Sequence, residues 1–159
     1  VHKGNIILVK LNNYLTLLNK ILKNKVKAYF IFVKNQDRQN NIKSKTLIIP
    51  AKNEEGNIEE LIDRINLEKK TQIIFVIAES KDDTLNVANS IAKVNKKYDF
   101  TVLEQKSNGK KNAVNEALPF VKNDLVAILD SDISVDPEEL ANFFEIIEKN
   151  LADFVNGTR

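Results

Sequence analysis

Two carboxylates have the spacing that suits a divalent cation. Asp130 and Asp132 end the run Leu125–Asp132, whose first five residues are apolar and predict a buried strand. Alternate residues at the end of an extended strand can direct both carboxylates toward one point, where Mg²⁺ or Mn²⁺ would accept their oxygens and bridge to a substrate diphosphate. The alternative is an Asx turn that leads into a helix at Pro137, with Asp136 as its N-cap. The spacing alone leaves both interpretations open.

A turn glycine followed by two lysines, Gly109-Lys110-Lys111, could hold an anion. The N-terminal amides of a helix that begins here would join the two ammonium groups around a phosphate. A Walker loop is excluded because its first glycine would fall at Glu104. A dinucleotide fingerprint is excluded because the four glycines stand at positions 4, 56, 109 and 157. A solvated basic turn is the alternative, and these residues alone favour it.

Composition limits the chemistry further. The 159 residues include no Cys and one His, His2, which excludes a disulfide framework, a thiolate zinc site and a Ser-His-Asp triad. The hydrophobic fraction of 43% suits one domain with its own core, and no apolar run approaches the length of a membrane span. Catalysis must therefore use carboxylates, lysines and backbone groups.

Charge is unevenly distributed along the chain. Residues 1–45 carry ten Lys or Arg and one acid, whereas residues 46–159 carry 14 basic and 21 acidic residues. The basic segment could make peripheral contact with an anionic membrane, and the alternative, which we prefer, is a solvated surface. We expect no nucleic-acid partner. The N-terminal residues lack the apolar core of a signal peptide. We expect a cytoplasmic protein, either free or at the cytoplasmic face of the membrane.

Strand and helix patterns alternate from Thr46 onward. Apolar runs rich in β-branched residues predict strands at Thr46–Ile49, Ile73–Ala78, Phe100–Leu103, Leu125–Leu129 and Phe154–Val155. Helical spacing of apolar residues predicts helices that begin at an Asn57 cap, cover Asp83–Lys93, lie near Lys111–Leu118 and run from Pro137 to Asn150. Strands separated by helices of this length imply right-handed βαβ units, and hence an α/β fold with a parallel sheet.

The first 45 residues have a different pattern. A helix is predicted around Leu11–Leu22, a strand at Ala28–Val33 and a linker at Lys34–Lys45. We therefore divide the chain into a basic N-terminal extension and linker, residues 1–45, and an α/β domain, residues 46–159. The extension is either the tail of an upstream domain or a basic segment that rests on a membrane.

Four polar clusters follow the predicted strands, at the sheet edge where open parallel sheets bind ligands. They are residues 52–55, 79–83, 105–111 and 130–132. In their order they resemble the motifs of family 2 glycosyltransferases. Residues 47–55, LIIPAKNEE, are similar to "IIPAYNEE", and residues 80–84, SKDDT, to the end of "DGSTDGT". Asn108-Gly109-Lys110 is similar to "N-x-GK", residues 129–138 to "LDADxxxxPE" and residues 152–159 to "ADVVxGSR". The likeness extends from Thr46 to Arg159 and is greatest to polyprenyl- and dolichyl-phosphate sugar synthases.

This resemblance implies a GT-A fold, which is a Rossmann-like, mostly parallel sheet flanked by helices, incomplete here at the C-terminus. It implies a UDP- or GDP-linked sugar as donor and Mg²⁺ or Mn²⁺ as cofactor. Carried over by position, the nucleotide-binding residues would be Pro50, Ala51, Asn53, Glu55, Glu79, Asp82, Lys110 and Asp130. The metal ligands would be Asp130 and Asp132.

Two departures from the family pattern concern the base. Lys52 replaces the usual aromatic residue, and Ile77-Ala78-Glu79 replaces the acidic or glycine-rich stretch that recognises the base. The resemblance therefore leaves the choice between uridine and guanosine open, with Glu79 as a substitute for the missing acid.

The resemblance also implies the reaction, a displacement at the anomeric carbon in which the metal stabilises the leaving nucleoside diphosphate. The acceptor would be a polyprenyl phosphate or a glycan of the cell envelope, and a glycan hydroxyl would require a carboxylate base. Because that base lies in the family beyond the position of Arg159, we expect a fragment of a hexosyltransferase that binds its donor without transferring the sugar. The alternative is a nucleotide-binding or nucleotidyltransferase-like module. A nucleotidyltransferase normally has a glycine-rich loop after its first strand, which this sequence lacks.

Overall fold

The computed structural model describes residues 5–10, 28–33, 44–149 and 151–155, the first two ranges as strand backbone alone. The helix predicted at Leu11–Leu22 and the predicted linker as far as residue 43 lie outside these ranges. Within them, every helix is too short or too polar to cross a lipid bilayer.

The described residues form six strands and four α-helices. The strands are β1 (Asn5–Lys10), β2 (Ala28–Val33), β3 (Lys45–Ala51), β4 (Gln72–Ile77), β5 (Asp99–Glu104) and β6 (Leu125–Ile128). The helices are α1 (Glu55–Arg64), α2 (Thr84–Val94), α3 (Lys110–Ala117) and α4 (Leu140–Glu148), with 3₁₀ turns at Leu118–Phe120 and Pro137–Glu139.

The six strands form one sheet in the order β1-β2-β6-β3-β4-β5. All neighbouring pairs are parallel except β2 and β6, which run antiparallel with Ile31 opposite Ala127. The predicted parallel α/β sheet is confirmed, and the antiparallel pair makes it mostly rather than wholly parallel. Lys45, which we predicted as the end of the linker, instead begins β3 and is buried.

Helices cover both faces of the sheet, and alternate strand residues supply the two cores. On one face, Leu47, Ile49, Phe75 and Ala127 pack with the apolar sides of α1 and α4. On the other, Ile48, Ile74, Val76 and Ile128 pack with Ala113, Val114 and Ala117 of α3. Burial on both faces explains why these strands read as continuous apolar runs rather than as alternating patterns.

Three local predictions need correction. Helix α1 begins at Glu55 rather than after an Asn57 cap, and Asn57 Nδ2 instead donates to Glu54 Oε2 at 2.6 Å. The helix predicted from Pro137 starts as a 3₁₀ turn and becomes α-helical at Leu140. The strand predicted at Phe154–Val155 is not formed, and both side chains instead pack, partly buried, against the core.

Candidate functional site

A pocket of about 810 Å³ opens at the carboxyl ends of β3, β4, β5 and β6. This is the edge at which parallel sheets hold their ligands. The strand ends and the loops that follow them supply its wall: Pro50, Ala51, Lys52 and Glu54; Ala78; Gln105, Asn108, Gly109, Lys110 and Lys111; and Asp130, Ser131 and Asp132.

Asp130 reaches the pocket because β6 lies beside β3. The buried Ser131 hydroxyl donates to Pro50 O at 3.1 Å, which ties the Asp-Ser-Asp segment to the end of β3. The Asp130 carboxylate forms an ion pair with Lys110 Nζ from the start of α3. The Asp130 side chain is 18% exposed and that of Lys110 is 29% exposed, so solvent screens this pair only in part.

Asp132 starts a sharp turn. Its Oδ1 accepts a hydrogen bond from Ser134 N at 3.0 Å, and Ile133 between them has φ 48°, a left-handed conformation that β-branched residues rarely adopt. Asp136 Oδ1 accepts from the amide two residues later at 3.0 Å and from Arg64 Nη2 at 2.9 Å. The Asx turn and the Asp136 cap are therefore confirmed. The turn bond orients the Asp132 carboxylate through one oxygen, which is compatible with a cation at the same group.

Glu116 stabilises the loop that precedes the two lysines. Its carboxylate accepts hydrogen bonds from Lys106 N at 2.8 Å and from Ser107 N at 2.9 Å. The bond from Lys106 N, with a smaller contribution from Ser107 N, holds the pKa of Glu116 below its usual value. Gly109 follows with φ 99°, a conformation that favours glycine, and α3 starts at the next residue. Both lysines of the motif therefore lie at the pocket.

Reciprocal hydrogen bonds join the loops that follow β3 and β4. Asn53 adopts φ 55°. Its backbone amide donates to the Ser80 hydroxyl at 3.1 Å, and its Oδ1 accepts from Lys81 N at 2.7 Å. Glu55 N donates to Asp82 Oδ2 at 3.1 Å, while Glu55 Oε2 accepts from Asp83 N at 3.0 Å. Asn tolerates the left-handed conformation and also supplies the acceptor, which explains the residue type at position 53.

Asp82 is the centre of this contact between the loops. Its carboxylate accepts a hydrogen bond from the Thr84 hydroxyl, which is the main reason that the pKa of Asp82 lies below its usual value. It also accepts from Thr84 N at 3.2 Å, at the start of α2. The described contacts of Asp82 therefore fix a loop and a helix start.

The structure brings together five of the nine predicted site residues, namely Pro50, Ala51, Lys110, Asp130 and Asp132, in the pocket wall. The described wall does not include Asn53, Glu55 and Asp82, whose side chains bond the two loops to each other. Nor does it include Glu79, which is exposed. Contact of these four with a nucleotide stays a prediction.

Sequence reasoning missed two kinds of residue. Glu54, Gln105 and Ser131 line the pocket, although none of the three was among the predicted site residues. Glu116 stabilises the loop before α3 through a bond to Lys106 N, ten positions earlier in the chain. One signal could have revealed it: an acid in the last turn of a helix opposes the helix dipole, and this indicates a tertiary partner.

Asp130 and Asp132 fit a Mg²⁺ or Mn²⁺ site that a diphosphate completes. Mg²⁺ usually takes one or two carboxylates, waters and substrate phosphates rather than a complete protein cage. In keeping with this, no group of three or more potential metal ligands occurs among the described residues. In such a site Asp130 and Asp132 would supply part of the coordination shell, and the remaining ligands would come from the substrate and water.

Curated relatives of this chain share part of its sequence. Undecaprenyl-phosphate 4-deoxy-4-formamido-L-arabinose transferase from Shewanella sediminis is 26% identical over 107 residues, which cover 64% of this chain and 32% of that protein. The chain spans about a third of the length of the curated relatives it matches.

Solved structures share the fold. The mannosyltransferase PcManGT from Pyrobaculum calidifontis, in complex with GDP-Man and Mn²⁺, gives a TM-score of 0.58 at 26% identity, covering 70% of this chain and 34% of that chain. Glucosyl-3-phosphoglycerate synthase from Mycobacterium tuberculosis, in complex with Mn²⁺, UDP-Glc and glycerol 3-phosphate, gives 0.51 at 25% identity, covering 62% and 38%.

The family profile described as glycosyl transferase family 2 matches residues 46–159, more than two thirds of the chain. This is the range over which the ordered motifs of the sequence resemble that family. The match agrees with the sheet order and with the position of the pocket at the strand ends. The chain belongs to glycosyl transferase family 2 and has the GT-A fold.

Proposed function

We propose that this chain is the donor-binding part of a glycosyltransferase that moves a sugar from a UDP- or GDP-linked donor to a polyprenyl phosphate. The observation that carries this proposal is the meeting of Asp130, Asp132 and Lys110 at one pocket. The two carboxylates would hold Mg²⁺ or Mn²⁺, and the lysine would contact the diphosphate. The name of the Shewanella relative supports the lipid-phosphate acceptor, and the Pyrobaculum complex supports a nucleotide-sugar donor with Mn²⁺.

The charges of the pocket suit a metal-bound diphosphate. Three lysines and three carboxylates line it, so their formal charges cancel: Lys52, Lys110, Lys111, Glu54, Asp130 and Asp132. A bound divalent cation would make the pocket positive, which attracts the negative diphosphate of a donor.

The chemistry follows from these groups. A metal held by the carboxylates would stabilise negative charge on the leaving nucleoside diphosphate. Lys110 lies where its ammonium can add to that stabilisation through a phosphate oxygen. A lipid phosphate is already anionic at neutral pH, so it can attack with little help from a general base. We assign no catalytic base to the described residues.

We further infer that the protein works in the cytoplasm, at the cytoplasmic face of the membrane. The basic excess of residues 1–45 and the lipid-phosphate acceptor named for the relatives support this location. Sedimentation with vesicles that contain anionic lipid, at low and high salt, tests it, with neutral vesicles as the control. Equal binding to both kinds of vesicle would contradict an electrostatic membrane contact.

The donor-binding proposal is tested by titrating the 159-residue chain with UDP and GDP, each with Mn²⁺ or with EDTA. We expect at least one nucleotide to bind in the presence of Mn²⁺ and to lose affinity in EDTA. If a folded sample bound neither nucleotide, the donor site would be refuted.

A radiolabelled-sugar assay with polyprenyl phosphate should show no transfer, and robust transfer would place the catalytic elements within these residues. Release of inorganic pyrophosphate from a nucleoside triphosphate would instead support a nucleotidyltransferase.

A further inference from the structure

Lys110 forms an ion pair with Asp130, one of the two carboxylates to which the proposed function assigns the cation. We propose that Lys110 is an internal counterion that the divalent cation displaces from Asp130, and that the displaced ammonium then binds the donor diphosphate. Lys110 would thus couple metal binding to nucleotide binding. This inference rests on the proposed function and specifies how its two ligands depend on each other.

Competition between the two cations follows from their shared partner. An ammonium bonded to Asp130 Oδ1 occupies the space that a metal ion would take at that oxygen. A divalent ion and an ammonium at the same carboxylate also repel each other, and the partly buried position of Asp130 weakens the screening of that repulsion. A metal ion that binds this oxygen of Asp130 therefore displaces Lys110.

Lys110 can move without rearranging the fold. It is the first residue of α3, and its side chain is 29% exposed, so its flexible stem has solvent beside it. The N-terminal amides of α3 lie at the same end of the helix, where they favour an anion. A diphosphate bound at this end of the pocket would offer the displaced ammonium a new acceptor.

The metal alone has few protein ligands to replace that pair. Asp132 already accepts a hydrogen bond from Ser134 N, and the described residues contain no group of three or more metal ligands. When the metal binds alone, it loses the stabilisation of the Lys110–Asp130 ion pair and gains only a partial coordination shell. When the metal and the nucleotide both bind, the same ion pair is broken only once, and Lys110 regains a partner in the diphosphate. Each ligand therefore increases the affinity for the other.

Replacing Lys110 with Met tests the coupling, because Met keeps an unbranched stem and removes the ammonium. Binding of Mn²⁺ alone, followed by the electron paramagnetic resonance signal of the free ion, should become about three- to ten-fold tighter. Binding of UDP or GDP with Mn²⁺ should become about ten-fold weaker, because a charged hydrogen bond to the diphosphate is lost. The factor by which the nucleotide tightens Mn²⁺ binding should fall about three-fold or more.

Lys111→Met is the matched control, since it removes the same charge from the next residue of the same pocket wall. We expect its affinity for Mn²⁺ alone to stay within about two-fold of the parent value. If Lys110→Met bound Mn²⁺ like this control, or more weakly than the parent, the counterion role would be refuted while the donor site stood. If the parent bound neither nucleotide, both proposals would fall. Lys110→Gln, which keeps a polar end group, repeats the measurement should circular dichroism show that the Met variant is unfolded.

Discussion

Asp132→Asn separates a metal ligand from a residue that only shapes a turn. The amide Oδ1 of Asn can accept the bond from Ser134 N, now 3.0 Å long, so the Asx turn and the left-handed Ile133 should persist. The substitution therefore removes one negative charge with little change of shape. We expect the free energy of unfolding to stay within about 0.5 kcal/mol of the parent value.

The loss of affinity can be worked from the position of the carboxylate. Unit charges about 4 Å apart attract by about 1 kcal/mol in water and by about 4 kcal/mol at an effective dielectric constant of 20. Asp132 is partly buried, so its attraction for a cation falls between these limits, and water that replaces the lost ligand offsets part of it. We expect Mn²⁺-dependent binding of UDP or GDP to weaken by about 1.4 to 2.7 kcal/mol, about 10- to 100-fold.

Calorimetric titration with nucleotide and Mn²⁺ measures this change. Asp136→Asn is the control, because Asp136 is also a carboxylate that accepts a backbone amide in a cap but lies outside the described pocket wall. The control should bind nucleotide like the parent. The metal assignment would be refuted if Asp132→Asn bound nucleotide as tightly as the parent and the control, or if EDTA left the affinity of the parent unchanged. The turn alone would then account for this residue.

Three further outcomes are expected. Because hydrogen bonds hold the pKa of the Glu116 carboxyl below its usual value, the stabilisation they provide is complete above the unfolded pKa of about 4.3 and is lost as pH falls through the folded value. The Ser107 amide resonance should titrate below that pH, and Glu116→Gln should abolish the titration. Gly109→Ala should destabilise the fold by about 1 to 3 kcal/mol in a denaturant titration, because residues other than glycine rarely adopt its φ of 99°. The strain is of the backbone alone, since an added Cβ would meet no atom within 4 Å. Tyr98→Phe removes the hydroxyl that donates to Ile65 O at 2.6 Å in a buried position and should cost about 1 to 2 kcal/mol in the same assay, whereas an unchanged midpoint would mean that this bond contributes nothing.

The strands and helices could be predicted from the sequence because their signals are local. Apolar runs such as Ile73–Ala78 and the helical spacing around Ile58 are set by residues that are neighbours in the chain. Boundaries were less predictable. Helix α1 begins at Glu55 because that residue bonds to the loop after β4, about 27 residues away, and no local pattern contains this partner.

The candidate site divides in the same way. Asp130 and Asp132 could be placed at a strand end from their spacing, and the order of the motifs identified the family. The structural roles of Asn53, Glu55 and Asp82 could not be predicted from the sequence. Motif position does not distinguish a side chain that lines the pocket from one that bonds two loops together.

The sequence by itself determined the βαβ alternation, the polar strand ends and the ordered motifs of the family, since each depends on residues close together along the chain. Only the tertiary structure decided that β6 lies beside β3, with β4 next in the sheet. That order brings Lys110 to Asp130 across 20 residues and leaves Glu79 outside the described pocket wall. The physical reason is that strand order depends on how the apolar faces of all the helices and strands are buried together, which periodicity in any one segment does not specify.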